Sequence, residues 1–520
     1  MFTRKSVWSA GGDFSDPTLL WYAKGVGILK QRPITDPTSW TFLAAIHGID
    51  NNLWINFGFL SSNSPLPPST VQGPYWNQCQ HGTWYFLPWH RGYVLSLEAI
   101  VRDAIIKAGG PADWALPYWN YSDQNNPNAR ALPPAFTLQT MPDGTPNPLY
   151  VERRYGRLGT TITLPLPPDD VSLSALTIGF FTGTNPGGDP GFGGTATPFS
   201  HFSSPHGDLE SLPHDMIHVD VGGAISNSLV GRGLMTNPNT AALDPIFYLH
   251  HANIDRLWEV WLQLGTSGGS PPELSWQTGP VDRHFIVPMA DGQGWQYAAK
   301  DVVSTAALDY SYDDIQDPLQ GVSALATRLK QLGRSPNLSF SLSGSDKSMD
   351  NKQRAELIGA NSNKMTLLGV SASTQVQLDK SMMQQTNTSF AALDVDASEA
   401  DMQEPDRIYL NLENIRCNLD GQVLDIYINL PGDANPAEHP ELRAGSIALF
   451  GVADASLPDQ PHGGMGVTKV LNITQIVDAL YLAGKLENLS NLEVSLLSRS
   501  HLSEEENVTV ERISVYREGR

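Results

Sequence analysis

Residues 79–98 read CQHGTWYFLPWHRGYVLSLE. Two histidines in this stretch, His81 and His90, are separated by eight residues. The second falls at the start of a predicted helix. Pro88 suits a first helical turn, where its missing N–H costs nothing. Val94, Leu97, Val101, Ala104 and Ile105 then recur at helical spacing, and Gly109-Gly110 can end the run. Phe86 lies one turn before His90, so its ring can pack against the imidazole. A histidine held this way is fixed on a buried helix. Taken alone, the pair reads equally well as two ordinary core histidines.

The chain repeats the arrangement further on. Residues 206–223, HGDLESLPHDMIHVDVGG, carry His214 and His218 four apart, on one side of a helix and one turn from each other. That is the spacing one metal ion needs from two imidazoles. Pro213 stands at the predicted helix start and Gly222-Gly223 at its end. Residues 236–261, TNPNTAALDPIFYLHHANIDRLWEVW, place Phe247 four before His251, as Phe86 stands four before His90. A third helix is predicted over 36–50, starting near Asp36 or Ser39, with His47 on the same side as Phe42, Leu43 and Ile46. The histidines thus fall into two sets of three: His47, His81 and His90; His214, His218 and His251. Four of the six sit on helices expected to pack in a bundle core, a common place for metal sites. Imidazole-only donor sets suit copper, zinc or iron and disfavour magnesium. A structural zinc site normally closes with four ligands, often cysteines. Three imidazoles per ion leave positions open for oxygen or substrate.

The rest of the 520 residues sets the frame. The length predicts at least two domains. A net charge of −21 argues against nucleic acid and anionic membranes as partners. Two cysteines, Cys79 and Cys417, cannot build a disulfide framework. No apolar segment follows the basic residues near the start, and none is long enough to span a bilayer, so a cytoplasmic location is the expectation. The aromatic stretch 115–123 is expected to line a core. Residues 124–200, rich in Pro and Gly, are expected to run as surface loops around a pocket rim. A helical domain over 1–315 is predicted, then a polar linker over 316–355 with a short helix at 319–332. From 356 to 520 the pattern alternates in short runs, such as RIYLNLENIR, VLDIYINL and VTVERISVYRE. That predicts an all-β antiparallel sandwich, interrupted by one amphipathic helix, NITQIVDALYLAGK.

The stretch H-x4-F-L-P-W-H-R-x2-V-x3-E, His81 to Glu98, resembles the first copper signature of tyrosinases and polyphenol oxidases. D-P-I-F-Y-x2-H-x3-D, Asp244 to Asp255, resembles the second, and L-E-x2-P-H-x3-H completes the set. The resemblance implies two copper ions in a coupled binuclear (type-3) centre. His47, His81 and His90 would hold the first, and His214, His218 and His251 the second. His250 would be a neighbour, packed or hydrogen-bonded outward. It implies phenolic substrates and O2: hydroxylation of monophenols to o-diphenols and oxidation of o-diphenols to o-quinones. A strict catechol oxidase and a haemocyanin-like oxygen carrier are the alternatives.

Further residues take roles from the same resemblance. Cys79, two before His81, matches the spacing at which some members form a thioether to that imidazole; a free buried cysteine is the other reading. Phe86 and Phe247 would stiffen their histidines. Asn253 would orient groups around the site, and Asp255 either does the same or closes the bundle with Arg256. Glu210, four before His214, would hold a water near the coppers. Asp215 stands where efficient monophenol hydroxylases often carry Asn, and could share a proton with Glu210. Pro238 and Val219 would leave the approach to the metals open. Tyr310-Ser311-Tyr312 resembles the element that closes the catalytic domain of the plant enzymes, and the β-domain resembles their C-terminal domain, which can shield the site. A homo-oligomer is compatible with this reading.

Overall fold

The computed structural model describes every residue except 157–164, 185, 200–203, 282, 320–354, 392–405, 459–462, 487–488 and 520. Most of the predicted linker, and with it the helix expected at 319–332, lies outside the described residues.

The first domain is built on helices α1 (Pro17–Lys30), α2 (Trp40–His47), α3 (Asn51–Asn56), α4 (Ser69–Tyr75), α5 (Phe86–Lys107), α6 (Asp215–Gly222), α7 (Pro238–Ala241) and α8 (Ile246–Gln263). Local chemistry sets their starts. Asp16 accepts from Thr18 N–H ahead of Pro17 at the first position of α1, Ser39 accepts from Phe42 N–H at α2, and Asn237 accepts from Asn239 N–H at α7. Of the two candidate starts for α2, Ser39 is thus the cap, while Asp36 closes the preceding turn. The long helices α5 and α8 pack on each other, and α1 packs on α5. From Phe86 to Val94, and from Ile246 to Trp258, every residue is buried. A helix apolar or hydrogen-bonded all round belongs in a domain centre. Residues 115–123 do line that core: Leu116, Tyr118, Trp119 and Tyr121 are buried.

The ends of this domain are tied together. Strand β1 (Phe2–Arg4) pairs in parallel with β4 (Tyr310–Tyr312); β2 (Phe285–Pro288) and β3 (Gly294–Tyr297) form a separate hairpin. Arg4 is fully buried and donates to Glu98 (2.8 and 2.5 Å), to Asp255 (3.1 Å) and to the Tyr312 hydroxyl (2.8 Å). Asp255 also accepts from Arg91, Tyr310 and Tyr312. Asp255 therefore closes the bundle, the second of the two roles open to it, but its partners are Arg4 and Arg91. Arg256 turns to Asp314. A buried charge costs several kcal/mol unless fully paired, and here each is.

The second domain is all-β apart from short helices. Its strands are β5 (Glu356–Ala360), β6 (Met365–Leu367), β7 (Gly369–Leu378), β8 (Arg407–Arg416), β9 (Val423–Ile428), β10 (Arg443–Ala448), β11 (Val467–Asn472), β12 (Asn491–Leu502) and β13 (Val508–Glu518). They form one sheet in the order β10-β9-β12-β7-β5-β13-β8-β11, with β6 also on β13. The two outer strands approach each other: a Cβ on Gly445 of β10 would lie 3.2 Å from Leu471 of β11. The layers of the expected sandwich are thus one curled, nearly closed sheet around a single core of Ile, Leu and Val. The amphipathic helix is present as Thr474–Leu482. A second helix, Lys380–Ala391, was not foreseen, because its polar run KSMMQQTNTSFA buries only Met383, Thr386 and Phe390. No helix among the described residues is long and apolar enough to cross a membrane.

The β-domain docks on the helical one through polar contacts. Arg499 reaches Asp170 (2.7 and 3.1 Å), Arg232 reaches Glu506 (3.2 Å), Asn237 donates to Asp420 (3.0 Å) and Asn239 to Asp454 (2.6 Å). Pro205 and Thr468 form a parallel backbone bridge.

Candidate metal centre

Three of the four histidine-bearing helices fix their imidazoles through the same device, a ring N–H spent on a fixed acceptor. His47, last residue of α2, uses Nδ1 on Pro238 O (2.8 Å). His90, in α5, uses Nδ1 on Phe86 O (2.8 Å), and His218, in α6, uses Nδ1 on Met235 O (2.9 Å). His214, at the junction before α6, uses Nδ1 on Asp215 Oδ1 (2.9 Å). Each bond sets the tautomer, and the Nε2 lone pair then faces inward. His251 in α8 makes no hydrogen bond through either nitrogen. The Nε2 atoms of His47, His214, His218 and His251 are buried without a partner. Unpaired buried polar atoms are costly, and a ring of imidazole lone pairs without donors fits a bound cation.

The predicted sets come together as two clusters. Ligating atoms of His47, Cys79, His81 and His90 converge within 4.8 Å of one another, and so do those of His214, His218, His250 and His251. The clusters adjoin, because the rings of His90 and His251 stack at 4.3 Å and 10°. Phe86 and Phe247 do more than stiffen one histidine each. Phe86 contacts His90 (4.6 Å) and His214 (4.7 Å), and Phe247 contacts His251 (4.2 Å) and His47 (4.9 Å). Each ring therefore braces both clusters. Burial lowers the pKa of every imidazole here, that of His47 to about 3. The rings are neutral at pH 7, the form that binds metal.

His250, expected to point away, is buried within the second cluster and stacks on His214 at 5.2 Å. Its Nδ1 pairs with the Tyr121 hydroxyl (3.3 Å), a polar contact of the kind expected, but turned inward. Asn253, buried in α8, accepts from Arg256 (3.3 Å). Cys79 Sγ lies 3.5 Å from both ring nitrogens of His81 and 3.4 Å from His90 Nε2. The equal distances to the two nitrogens place the sulfur on the plane that bisects the His81 ring. Burial pushes the Cys79 thiol up, so without a cation beside it the sulfur keeps its proton.

The carboxylates differ from expectation in one respect. Glu210 accepts from Gly82 N–H at 2.8 and 3.0 Å, tying itself to the loop that carries His81. Burial, then the charge of Asp215, raises its pKa well above the usual range. Asp215 is held low. Burial opposes this, but the ammonium of Lys469 (2.5 Å) and the ring of His206 (2.8 Å) outweigh it. The two acids thus diverge, as expected for a close pair, but through a lysine from β11. Nothing near Asp215 in the sequence signals a residue 254 positions away.

The approach left open by Pro238 and Val219 is closed by the second domain. Phe450, in the turn after β10, stacks on His218 at 4.0 Å and 15°, and meets His81 at 5.3 Å and His214 at 5.8 Å edge-on. Gly451 follows with φ +72°, and a Cβ there would lie 3.3 Å from Pro238 Cγ. The small Pro238 is thus the seat of the turn that carries the phenyl ring. Val219 is buried.

A four-helix core presenting two adjoining imidazole clusters defines a binuclear metalloprotein of the type-3 class. The family model described as the common central domain of tyrosinase matches residues 37–264, and a domain of unknown function matches 354–518. Tyrosinase HcTyr1 of Hahella sp. (strain CCB-MM4) is 33% identical over 529 residues, covering 100% of each chain. Polyphenol oxidase A1 of Vicia faba is 26% identical over 59% of this chain and 47% of its own, so the match spans about half the plant enzyme. The solved structure of latent apple tyrosinase superposes with a TM-score of 0.58 over 100% of this chain and 97% of that one, at 19% identity.

The chain belongs to the tyrosinase family. It is a tyrosinase-type copper oxidase with a binuclear centre, acting on phenolic substrates with O2.

Proposed function

We propose that the chain hydroxylates monophenols and oxidises the resulting o-diphenols, and that His47, His81 and His90 hold one copper while His214, His218 and His251 hold the other. The observation that supports this most is the set of inward, unpartnered Nε2 atoms in two clusters whose rings stack. The copper pair, when bound, supplies the two-electron chemistry with O2. The chain's own residues do the rest. The carbonyls of Pro238, Phe86 and Met235 and the Asp215 carboxylate aim the imidazoles. Phe86 and Phe247 exclude water and keep the rings apart at fixed distances. Glu210, its pKa raised above the usual carboxylate range by burial and by Asp215, is placed to take the phenol proton, either directly or through a water. Cys79 is placed to bond His81, the histidine on a loop. The β-domain acts as a cover, with Phe450 over the histidines.

The catechol oxidase reading draws on Asp215. Its oxygens are occupied by His214, His206 and Lys469, so it offers Glu210 no donor. Oxygen uptake separates the two. Copper-loaded protein should consume O2 with a simple monophenol and with a catechol, and Glu210→Gln should depress the monophenol rate by about 10²-fold, more than the diphenol rate. Uptake with catechol alone would leave the catechol oxidase. A cytoplasmic location, a homo-oligomer, and no nucleic-acid or membrane partner complete the proposal; the net charge of −21 supports the last.

A further inference from the structure

We propose that His206, Glu210 and Asp215 form a third metal site, for one divalent cation of the zinc type, which the ammonium of Lys469 fills while the β-domain is docked. It is distinct from the two copper clusters and independent of their assignment.

The geometry is that of a ligand set around a cation. His206 Nδ1 lies 2.8 Å from Asp215 Oδ2 and 3.5 Å from Glu210 Oε1. Lys469 Nζ lies 2.5 Å from Asp215 Oδ2 and 2.9 Å from His206 Nδ1. The three side-chain donors converge within 4.8 Å, and none of the four residues is more than 3% exposed. Two ligands at about 2.1 Å from one ion stand about 3.4 Å apart in a tetrahedral site and about 3.0 Å apart on an octahedral edge. The observed 2.8 and 3.5 Å bracket that range. A metal ion in the ammonium's place would draw the donors in by about half an ångström from their lysine contacts.

The chemistry agrees. One imidazole and two carboxylates are a donor set for zinc, manganese or iron(II), with a fourth position left open. Two buried carboxylates with no cation beside them are costly, and here the cation comes from the β-domain of the same chain. The backbone bridge of Pro205 to Thr468 sets His206 beside Lys469, so the lysine leaves whenever the domains part. The pocket then either takes up a proton or admits a metal ion. His206 would bind through Nδ1 and carry its hydrogen on Nε2. Asp215 would keep Oδ1 on His214, and so connect the new ion to the second copper cluster as a carboxylate behind a histidine.

The test uses the full chain. Wild type, Lys469→Ala and Lys469→Ala/His206→Gln are loaded with copper, equilibrated with zinc, desalted and analysed for both metals. The expected counts are two copper and no zinc for wild type, two copper and one zinc for Lys469→Ala, and no zinc for the double variant. Zinc should also raise the Tm of Lys469→Ala and leave that of wild type unchanged. A folded Lys469→Ala that takes no more zinc than wild type overturns the proposal, and so does equal zinc in the double variant. If Lys469→Ala folds only with zinc present, the proposal stands; if it folds in neither condition, Lys469→Gln carries the same counts and decides. A wild-type copper count other than two bears on the copper assignment, while the zinc difference between variant and wild type still reads the third site.

Discussion

The two histidine clusters are chemically alike and structurally unequal. The first is held from within its own domain: His47 and His90 lean on backbone carbonyls, and His81 is flanked by Cys79 and tied through Gly82 to Glu210. The second shares its surroundings with another domain. Phe450 lies flat on His218, and Lys469 reaches the carboxylate that orients His214. The lesson is that the imidazoles of one cluster are oriented within the helical domain, whereas those of the other lean more on docking, although Phe450 also meets His81 edge-on.

The largest test of that contrast removes a histidine from each side. His90→Ala and His251→Ala should each leave about one copper per chain and reduce catechol oxidation to background, measured by elemental analysis and oxygen uptake; His250→Ala should keep two. Loss of copper from the His250 variant would mean that the second cluster uses the other member of the pair. Cys79→Ser comes next and acts on the first cluster alone. Without the sulfur beside His81, copper affinity should fall about 10- to 100-fold, read by competition with a chelator. Intact mass should show wild type lighter by two hydrogens than its sequence after copper loading, and the serine variant unchanged.

Phe450→Ala acts chiefly on the second cluster, where the ring lies flat on His218, and at its edge on His81. A face-to-face aromatic contact is worth about 0.5–1.5 kcal/mol, so its loss should raise catechol turnover by the uncut chain roughly 2- to 12-fold. Unchanged turnover would mean that the phenyl ring does not limit entry. The smallest effect is a pH dependence of docking. Asp454, four residues after Phe450, is pushed up to about 6 by burial, then held back by Asn239 and raised again by Asp50. A docked pKa above the free value, near 3.9, means that docking is best held below about pH 4 and weakens as the pH rises through 6. Proteolysis of the 449–458 turn should increase from pH 5 to pH 8 in wild type and change less in Asp454→Asn.

The inequality of the clusters also marks what the sequence could reveal. Five of the six histidines, with Phe86 and Phe247, were legible because they fall at fixed offsets along helices, and helix geometry carries them to one side; His81, on a loop, was legible only through the signature around it. The all-β character of the second domain was legible from alternation. Phe450, Lys469 and His206 were not. Their roles come from contacts spanning more than two hundred residues for the first two, and an isolated Phe or Lys on a β-domain carries no periodic signal. The openness expected from Pro238 failed for the same reason: the space it leaves is filled by the turn at Gly451. His250 was hidden by adjacency. Neighbouring residues on a helix point about 100° apart, but a cluster deep in a bundle surrounds both directions.

The tie between β1 and β4 has a bearing on biosynthesis. Arg4 leaves the ribosome first, but Tyr310 and Tyr312, which complete its pairing, emerge some three hundred residues later. Until then a guanidinium and two carboxylates wait without their full set of partners. Domains fold as units, the N-terminal one first during translation, so the helical domain should lock as β4 clears the exit tunnel, before Phe450 and Lys469 have been made. Ribosome-bound chains stalled past residue 360 should resist protease across α5 and α8, while chains stalled before 300 should not. Metal can therefore be delivered to a finished pocket during an interval when nothing covers it.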